Sequence, residues 1–276
     1  MTLDRLIFLG LIVVLAIPFV HVLGIPIPIS PETRKYHQAI IGLPKGCNVL
    51  WVTDIDFTLW VEIQGGEIAT MKMLFKLMKE RQIHLVWTTT GGDTGLPDGR
   101  ILIHRMIDEY LRPGGFLEGL KYGEDYVLLG WLPGWETSLR GLVTDIHKLA
   151  PTDDFGTPID QIPLMKGIHS GKDFALLGYS SYYVDQYMRQ WSDQKVPIIA
   201  DLSASAVSFA KPWFAKGFVS AYLGGAAACA EIEQLSGYPG PAAAAMDAQI
   251  LGHIAAVVVL VVPNLYWLTI GRKRGK

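Results

Sequence analysis

The feature that most constrains this chain is the run Val49-Leu50-Trp51-Val52-Thr53-Asp54-Ile55-Asp56-Phe57-Thr58. An apolar stretch of strand length ends in two acids spaced one apart. A helix-like segment comes next, and then a second apolar run, His84-Leu85-Val86-Trp87-Thr88-Thr89-Thr90. Strand, crossover helix and strand make the opening unit of a parallel sheet. Ligands of such sheets sit outside the carboxyl ends of the strands. Asp54 and Asp56 are therefore placed where a ligand would be.

The pattern continues to about Gly237. Strands are expected near 48–53, 84–89, 126–130, 173–178, 196–200 and 217–222. Their runs are apolar throughout rather than alternating, which marks strands buried on both faces. Between them, Ile68, Met71, Leu74, Phe75 and Met78 form one helical stripe, and Ile103, Met106, Ile107, Tyr110 and Leu111 another. Leu139, Leu142, Val143, Ile146 and Ala150 give a third, with further helices over 182–191 and 226–235. The expected fold class is α/β: a doubly wound, mostly parallel sheet of about six strands, flanked by N- and C-terminal transmembrane helices.

Membrane segments frame this domain. Leu6 to Leu23 is an almost uninterrupted apolar run, and crossing a bilayer takes about 20 residues. It is long for a signal peptide and no small-x-small cleavage site comes after it, so an anchor is favoured. The proline-rich Gly24–Pro31 reads as an extended linker. Gly237-Tyr238-Pro239-Gly240-Pro241 breaks the domain pattern, and Ile250 to Ile270 reads as a second span, with Pro263 kinking it. His21, Gln249 and His253 are expected at headgroup level. The organisation is an anchor and linker over 1–30, a Rossmann-like domain over 31–241, and a membrane helix with a basic tail over 242–276. Arg272, Lys273, Arg274 and Lys276 should keep the tail cytoplasmic, which puts the domain outside the cytoplasm. The expected partners are the lipid bilayer and other membrane subunits, or a second copy of the chain. Apolar residues make up 50% of the 276 and charged ones 18%, which suits a membrane protein. A net charge of −2 offers no basic field for nucleic acid. Cys47 and Cys229 form no zinc motif and are read as two buried thiols, with a disulfide the alternative.

The loops after the strands supply the candidate ligand-binding residues: Thr88, Thr89, Gly91, Gly92 and Asp93 after the second strand, Ser180 after the fourth, Asp201 and Ser203 after the fifth, and Gly224 and Gly225 after the sixth. Glycines and hydroxyls also make ordinary turns and caps. Together the loops outline a crevice. Asp54 is expected to cap the first crossover helix or orient a ligand. No Walker loop, nucleophile elbow, zincin motif or dinucleotide fingerprint is present.

Asp54-x-Asp56-x-Thr58 after an apolar strand resembles the first motif of haloacid-dehalogenase-type phosphatases. The resemblance implies Asp54 as nucleophile, Asp56 as general acid/base, and Mg²⁺ held by Asp54, Asp56 and Asp201. Thr88 to Thr90 would be the second motif, and Lys166 or Lys172 the lysine. No acidic pair completes the metal site, since Asp201 stands alone.

A second resemblance covers roughly Lys121 to His253. It rests on Lys121-Tyr122-Gly123-Glu124-Asp125-Tyr126, on Pro151-Thr152-Asp153-Asp154-Phe155-Gly156-Thr157-Pro158, on Pro163-Leu164-Met165-Lys166-Gly167, and on Met246-Asp247-Ala248-Gln249. This half is similar to a family of membrane-anchored prokaryotic proteins with no assigned activity. It implies an architecture and no reaction. Members do not all carry the D-x-D-x-T form, and Ser180-Ser181-Tyr182 stands where Ser-Ala-Gly is expected. The favoured expectation is a binding or assembly subunit of a membrane complex, with no cofactor. The alternative is a Mg²⁺-dependent phosphatase using Asp54 and Asp56.

Overall fold

A computed structural model of the chain describes residues 3–268, the side chains of Leu3, Asp4 and Asp93 excepted. The basic tail and the end of the second expected span lie outside the described residues. Six strands form one all-parallel sheet: β1 (Asn48–Thr53), β2 (His84–Thr89), β3 (Tyr126–Trp131), β4 (Leu176–Ser181), β5 (Ile198–Leu202) and β6 (Ala221–Gly224). Their order is β3-β2-β1-β4-β5-β6. The chain starts at the centre, winds one way, then crosses β1 and winds the other. That is the doubly wound Rossmann order, with its switch point between β1 and β4.

Helices cover both faces. On one lie α2 (Pro31–Ile41), α3 (Phe57–Arg81), α4 (Asp98–Tyr110) and α9 (Gly225–Ser236), packed on Val49, Trp51, Leu85, Trp87 and Ile199. On the other lie α5 (Glu136–Thr144), α6 (Ile146–Leu149), α7 (Val184–Trp191) and α8 (Val207–Ala215), packed on Leu50, Val52, Val86, Leu177 and Ala200. Side chains alternate between faces along each strand. This alternation decides which polar residues can meet at the carboxyl edge.

β1 and β2 have their expected bounds. β4, β5 and β6 begin two to four residues later than their apolar runs suggest. β4 continues through Gly178 into Ser180 and Ser181, because a buried partner on α3 accepts the Ser180 hydroxyl. Ser180 and Asp201 are thus strand residues, not loop residues. α3 begins ten residues before Glu67, where its apolar stripe leads one to expect the helix to start. Its glycines explain this: a methyl on Gly66 would strike the Asp201 carboxyl, and one on Gly65 would strike Ala242 and Glu233. They are contact residues inside a helix rather than breakers. The third expected helix is split at Asp145, which caps α6 by accepting from Lys148 N. Pro31–Ile41, for which no element is expected, is a helix with Ser30 as its N-cap. Cys47 and Cys229 are free thiols.

Two apolar helices leave the domain, α1 (Leu3–Val20) and α10 (Pro241–Tyr266). α10 is long and apolar enough to cross a membrane, and most of it is exposed. α1 is shorter in its apolar part, Arg5–Val20, and packs along α10. Carboxylates pin both to the domain. Glu233 accepts from the amides of Gly240, Ala242 and Ala243 at the start of α10. Asp247 accepts from those of Leu23, Gly24 and Ile25 just after α1. Glu231 accepts from the amide and hydroxyl of Ser30. A helix start has free N–H groups, and a carboxylate satisfies them.

At the sheet centre Gly178 is paired across from Trp51, and a methyl there would overlap the indole ring. The indole cannot swing away, because its N–H is bonded to a buried carboxylate. Gly178→Ala should therefore cost about 1–3 kcal/mol through overpacking, read as a lower urea midpoint at unchanged slope.

Candidate functional site

The carboxyl ends of β1 and β4 diverge into a narrow crevice of about 10 Å³, room for about one water molecule. Asp54, Asp56, Gly91, Gly92, Tyr182 and Tyr183 are among its lining residues. Asp54 comes directly after β1, and its amide donates to Ser180 O at 3.0 Å. Alternation turns its side chain toward α7. There both oxygens are filled. Oδ1 accepts from Thr89 Oγ1 at 3.0 Å, Thr90 N at 2.7 Å and Gly91 N at 3.2 Å. Oδ2 accepts from Thr90 Oγ1 and Tyr187 Oη, both at 2.6 Å. A carboxylate offers about four lone-pair sites, and five donors converge on this one.

Asp56, not Asp54, caps α3. Its Oδ1 accepts from Thr58 N, Leu59 N and Thr58 Oγ1 at 2.8, 2.7 and 2.6 Å. Partial burial works against the charge, but these bonds outweigh it and hold the carboxyl below the ordinary range. The same contacts occupy the helix N-terminus that binds a pyrophosphate in dinucleotide-binding members of this fold. At the start of α9, Gly225 has a φ of 71°, and a Cβ there would meet Ala204 and the Glu62 carboxylate. Glu62 also takes the Ala204 amide. That helix start, too, has a carboxylate beside it. Ser203 is buried and bonds Ser205.

Gly91 and Gly92 have φ of 79° and 56°. A Cβ on Gly91 would meet the Trp131 indole nitrogen at 2.9 Å, so the loop is glycine because it is packed tight. The side chain of Asp93 lies outside the described residues. Aromatics close the other side. Tyr182 and Tyr183 touch through their hydroxyls, and Trp135 packs on Tyr183 at a tilt of 57°, with ring centroids 4.6 Å apart. Trp135 begins α5 with φ 45° and ψ −109°, a strained conformation costing about 1–3 kcal/mol.

A second polar cluster lies on the opposite face, beneath β1 and β4. Glu67 of α3 is fully buried. It accepts from Trp51 Nε1 at 3.0 Å, from Thr53 Oγ1 at 2.5 Å and from the Ser180 hydroxyl. Trp87 Nε1 donates to Thr53 in turn. Burial pushes the Glu67 carboxyl from 4.5 up to about 7, against the pull of its three donors. Asp201 projects to this same face beside Gly66 and Cys229. Burial first, and then the Glu67 charge, push its carboxyl up, and its Oδ2 has no hydrogen-bond partner.

These positions correct the expected metal set. Asp54 and Asp201 project to opposite faces of the sheet, as the alternation of side chains requires. Among the described residues, no group of three His, Cys, Asp or Glu side chains is placed to hold a metal ion. Lys166 and Lys172 sit in turns before β4, at the amino edge and away from the crevice; Asp173, next to Lys172, accepts from Asn48 at the start of β1. Of the expected ligand residues, Thr89, Gly91 and Gly92 do gather round Asp54. Ser180 and Asp201 belong to the Glu67 cluster. Thr88 bonds the backbone of Gly130, and Gly224 ends β6. Glu67, Tyr187, Glu233 and Asp247 are not among the expected residues. A charged residue next to a helix's apolar stripe was the available signal for Glu67.

No family model, curated protein or solved structure significantly matches the chain.

Asp54→Ala leaves five donors without an acceptor and should cost at least about 3 kcal/mol. Asp54→Asn keeps an oxygen for the amides and turns an amide toward two hydroxyls that can accept. It should cost about 1–2 kcal/mol, and denaturant titration orders the two. The Glu67 effect has a definite sign. A carboxyl raised in the folded state stabilises it fully below the unfolded value of 4.5, and this is lost as pH rises to about 7. Wild-type stability should fall across that window by an amount on the order of 3 kcal/mol from this group. Glu67→Gln should flatten the fall in a urea series against pH.

Proposed function

We propose that the protein is a membrane-anchored Rossmann-like binding or assembly subunit rather than an enzyme. α10 and α1 span the bilayer side by side in opposite directions. The domain lies outside the cytoplasm and the basic tail inside. The partners are the bilayer and other membrane subunits, or a second copy, and no cofactor or nucleic acid is required. The observation that carries this reading is the engagement of Asp54 and Asp56. The acceptors a nucleophile or a metal ligand would need free are taken up by protein donors on Asp54, and Asp56 is committed to its helix. Anchoring is supported by the length and exposure of α10. The 18 residues beyond Ala248, Gln249 to Tyr266, extend about 27 Å, close to the roughly 30 Å of a hydrocarbon core. The clamps of Glu233 and Asp247 make anchor and domain one connected body.

One observation favours the phosphatase reading: Asp54 and Asp56 line the same crevice, and Thr90 bonds Asp54 beside it. In that case Mg²⁺ would be the cofactor and Asp54 the nucleophile. The two readings separate in one preparation. The full chain, purified in mild detergent, is assayed for Mg²⁺-dependent phosphate release from an aryl phosphate, alongside Asp54→Asn. No turnover by either, and a native mass above that of the monomer, are the expected results. Turnover by the wild type that vanishes in Asp54→Asn would establish the phosphatase. A lone inactive monomer would defeat the assembly reading.

A further inference from the structure

The direction in which α10 leaves the domain is set by the topology. β6 ends at the carboxyl edge, so α9 runs back toward the amino edge. Four residues, Gly237 to Gly240, then reverse the chain. α10 therefore sets out toward the carboxyl edge. α3, the helix after β1, begins at that edge and runs the opposite way. The two helices touch where Ala242 meets Gly65. Ala248 is the last buried residue of α10. From Ala242 to Gln249 the helix rises about 10 Å, and from Gly65 back to Phe57 α3 covers about 12 Å. The start of α3 thus stands level with the point where α10 becomes exposed.

That level carries apolar side chains with no cover. Phe57 is 51% exposed and Val61, one turn on, 75%. Leu96, at the crevice mouth beside Asp56, is 52% exposed, and Ile101, one turn past Asp98 of the same lining, is 51%. Residues four apart share a helix face, so Phe57 and Val61 form one patch. Acids stand among them at Asp56 and Asp98, so attraction to anionic lipid is not what this rim offers.

We propose that the carboxyl edge of the sheet rests on the bilayer surface, with Phe57, Val61, Leu96 and Ile101 in its interfacial layer and the crevice opening toward the membrane. The proposal rests on the anchoring reading above. Its occupant is lipid, because the patch is level with the exit of the proposed span and apolar side chains at that depth are buried by the interface.

The test uses the full chain in phosphatidylcholine nanodiscs on a Cys47→Ser background. Single cysteines replace Val61, Ile41 at the amino edge, or Val258 within α10, and each carries a bimane label. All three sites are exposed, so the fold tolerates them. Lipids bearing a nitroxide near the headgroup or deep in the chain serve as quenchers. Val258 should be quenched by the deep nitroxide. Val61 should lose at least about half its emission to the shallow one, while Ile41 is unchanged. Val61 behaving like Ile41 while Val258 is quenched would overturn the proposal and leave the anchor standing. Val61 shielded from aqueous iodide yet untouched by lipid nitroxide would assign the patch to a protein partner, and also overturn it. An unquenched Val258 would remove the anchoring reading, and the proposal with it.

Discussion

The carboxylate of Asp54 ties together parts of the fold that nothing else brings to one point. Strands on either side of a topological switch point diverge, and the gap between them is where these folds keep a ligand. Here the gap is drawn in on a side chain. The β2 loop donates through Thr89, Thr90 and Gly91, and α7 through Tyr187. The backbone of Asp54 bonds β4 as well. Each donor would be costly to bury alone, so the loop conformation, the position of α7 and the width of the crevice all depend on one acceptor. The tight glycine turn against Trp131 is the steric counterpart of the same closure.

The device recurs at several other free amides. Asp56 fills the start of α3, Glu233 the start of α10, Asp247 the amides just after α1 and Glu62 the Ala204 amide. In other Rossmann domains such amides draw phosphates. In this chain several of them are met by its own carboxylates. The buried acids Glu67 and Asp201 differ in kind. They lie on the far face among indoles, hydroxyls and a thiol, where burial favours their neutral forms.

Much of this was legible in the sequence. β1 and β2 match to the residue because their apolar runs end abruptly in Thr and Asp. β4 and β5 do not, because the polar residues inside them, Ser180 and Asp201, are buried against Glu67 and Gly66 of α3, far away in sequence, and a local reading ends a strand at its first hydroxyl or acid. Gly65 and Gly66 hid the first ten residues of α3 for a similar reason: their freedom serves close packing against Asp201 and Ala242, which lie far along the chain. α2 escaped because it buries just Thr33, Tyr36 and Ile40 and so shows little apolar stripe. α8 escaped because Pro212 interrupts it. At the site, Asp54 and Asp56 were visible as a pair, but not their division of labour. Which acid caps the helix depends on a two-residue offset from its first turn, and that offset needs the helix start to be known.

The proposed anchoring bears on what the crevice can serve. In a soluble doubly wound domain the carboxyl edge faces water, and diffusible ligands reach it from any direction. If α10 is the anchor proposed above, its exit on the carboxyl side changes this geometry. The edge is then bounded by the domain above and the bilayer below, and access is lateral. A charged metabolite would have to pass an acidic rim at Asp56 and Asp98 to reach a gap already closed by Asp54. A membrane protein or lipid headgroup is in the right layer from the start and has to displace no hydrogen bond to make contact. The acidic, apolar-edged mouth therefore suits a neighbour that is neutral or basic and confined to the membrane. The same sealed crevice that gives Asp54 no free acceptor gives the rim around it a fixed shape, so the proposed contact with the bilayer has no loop to order.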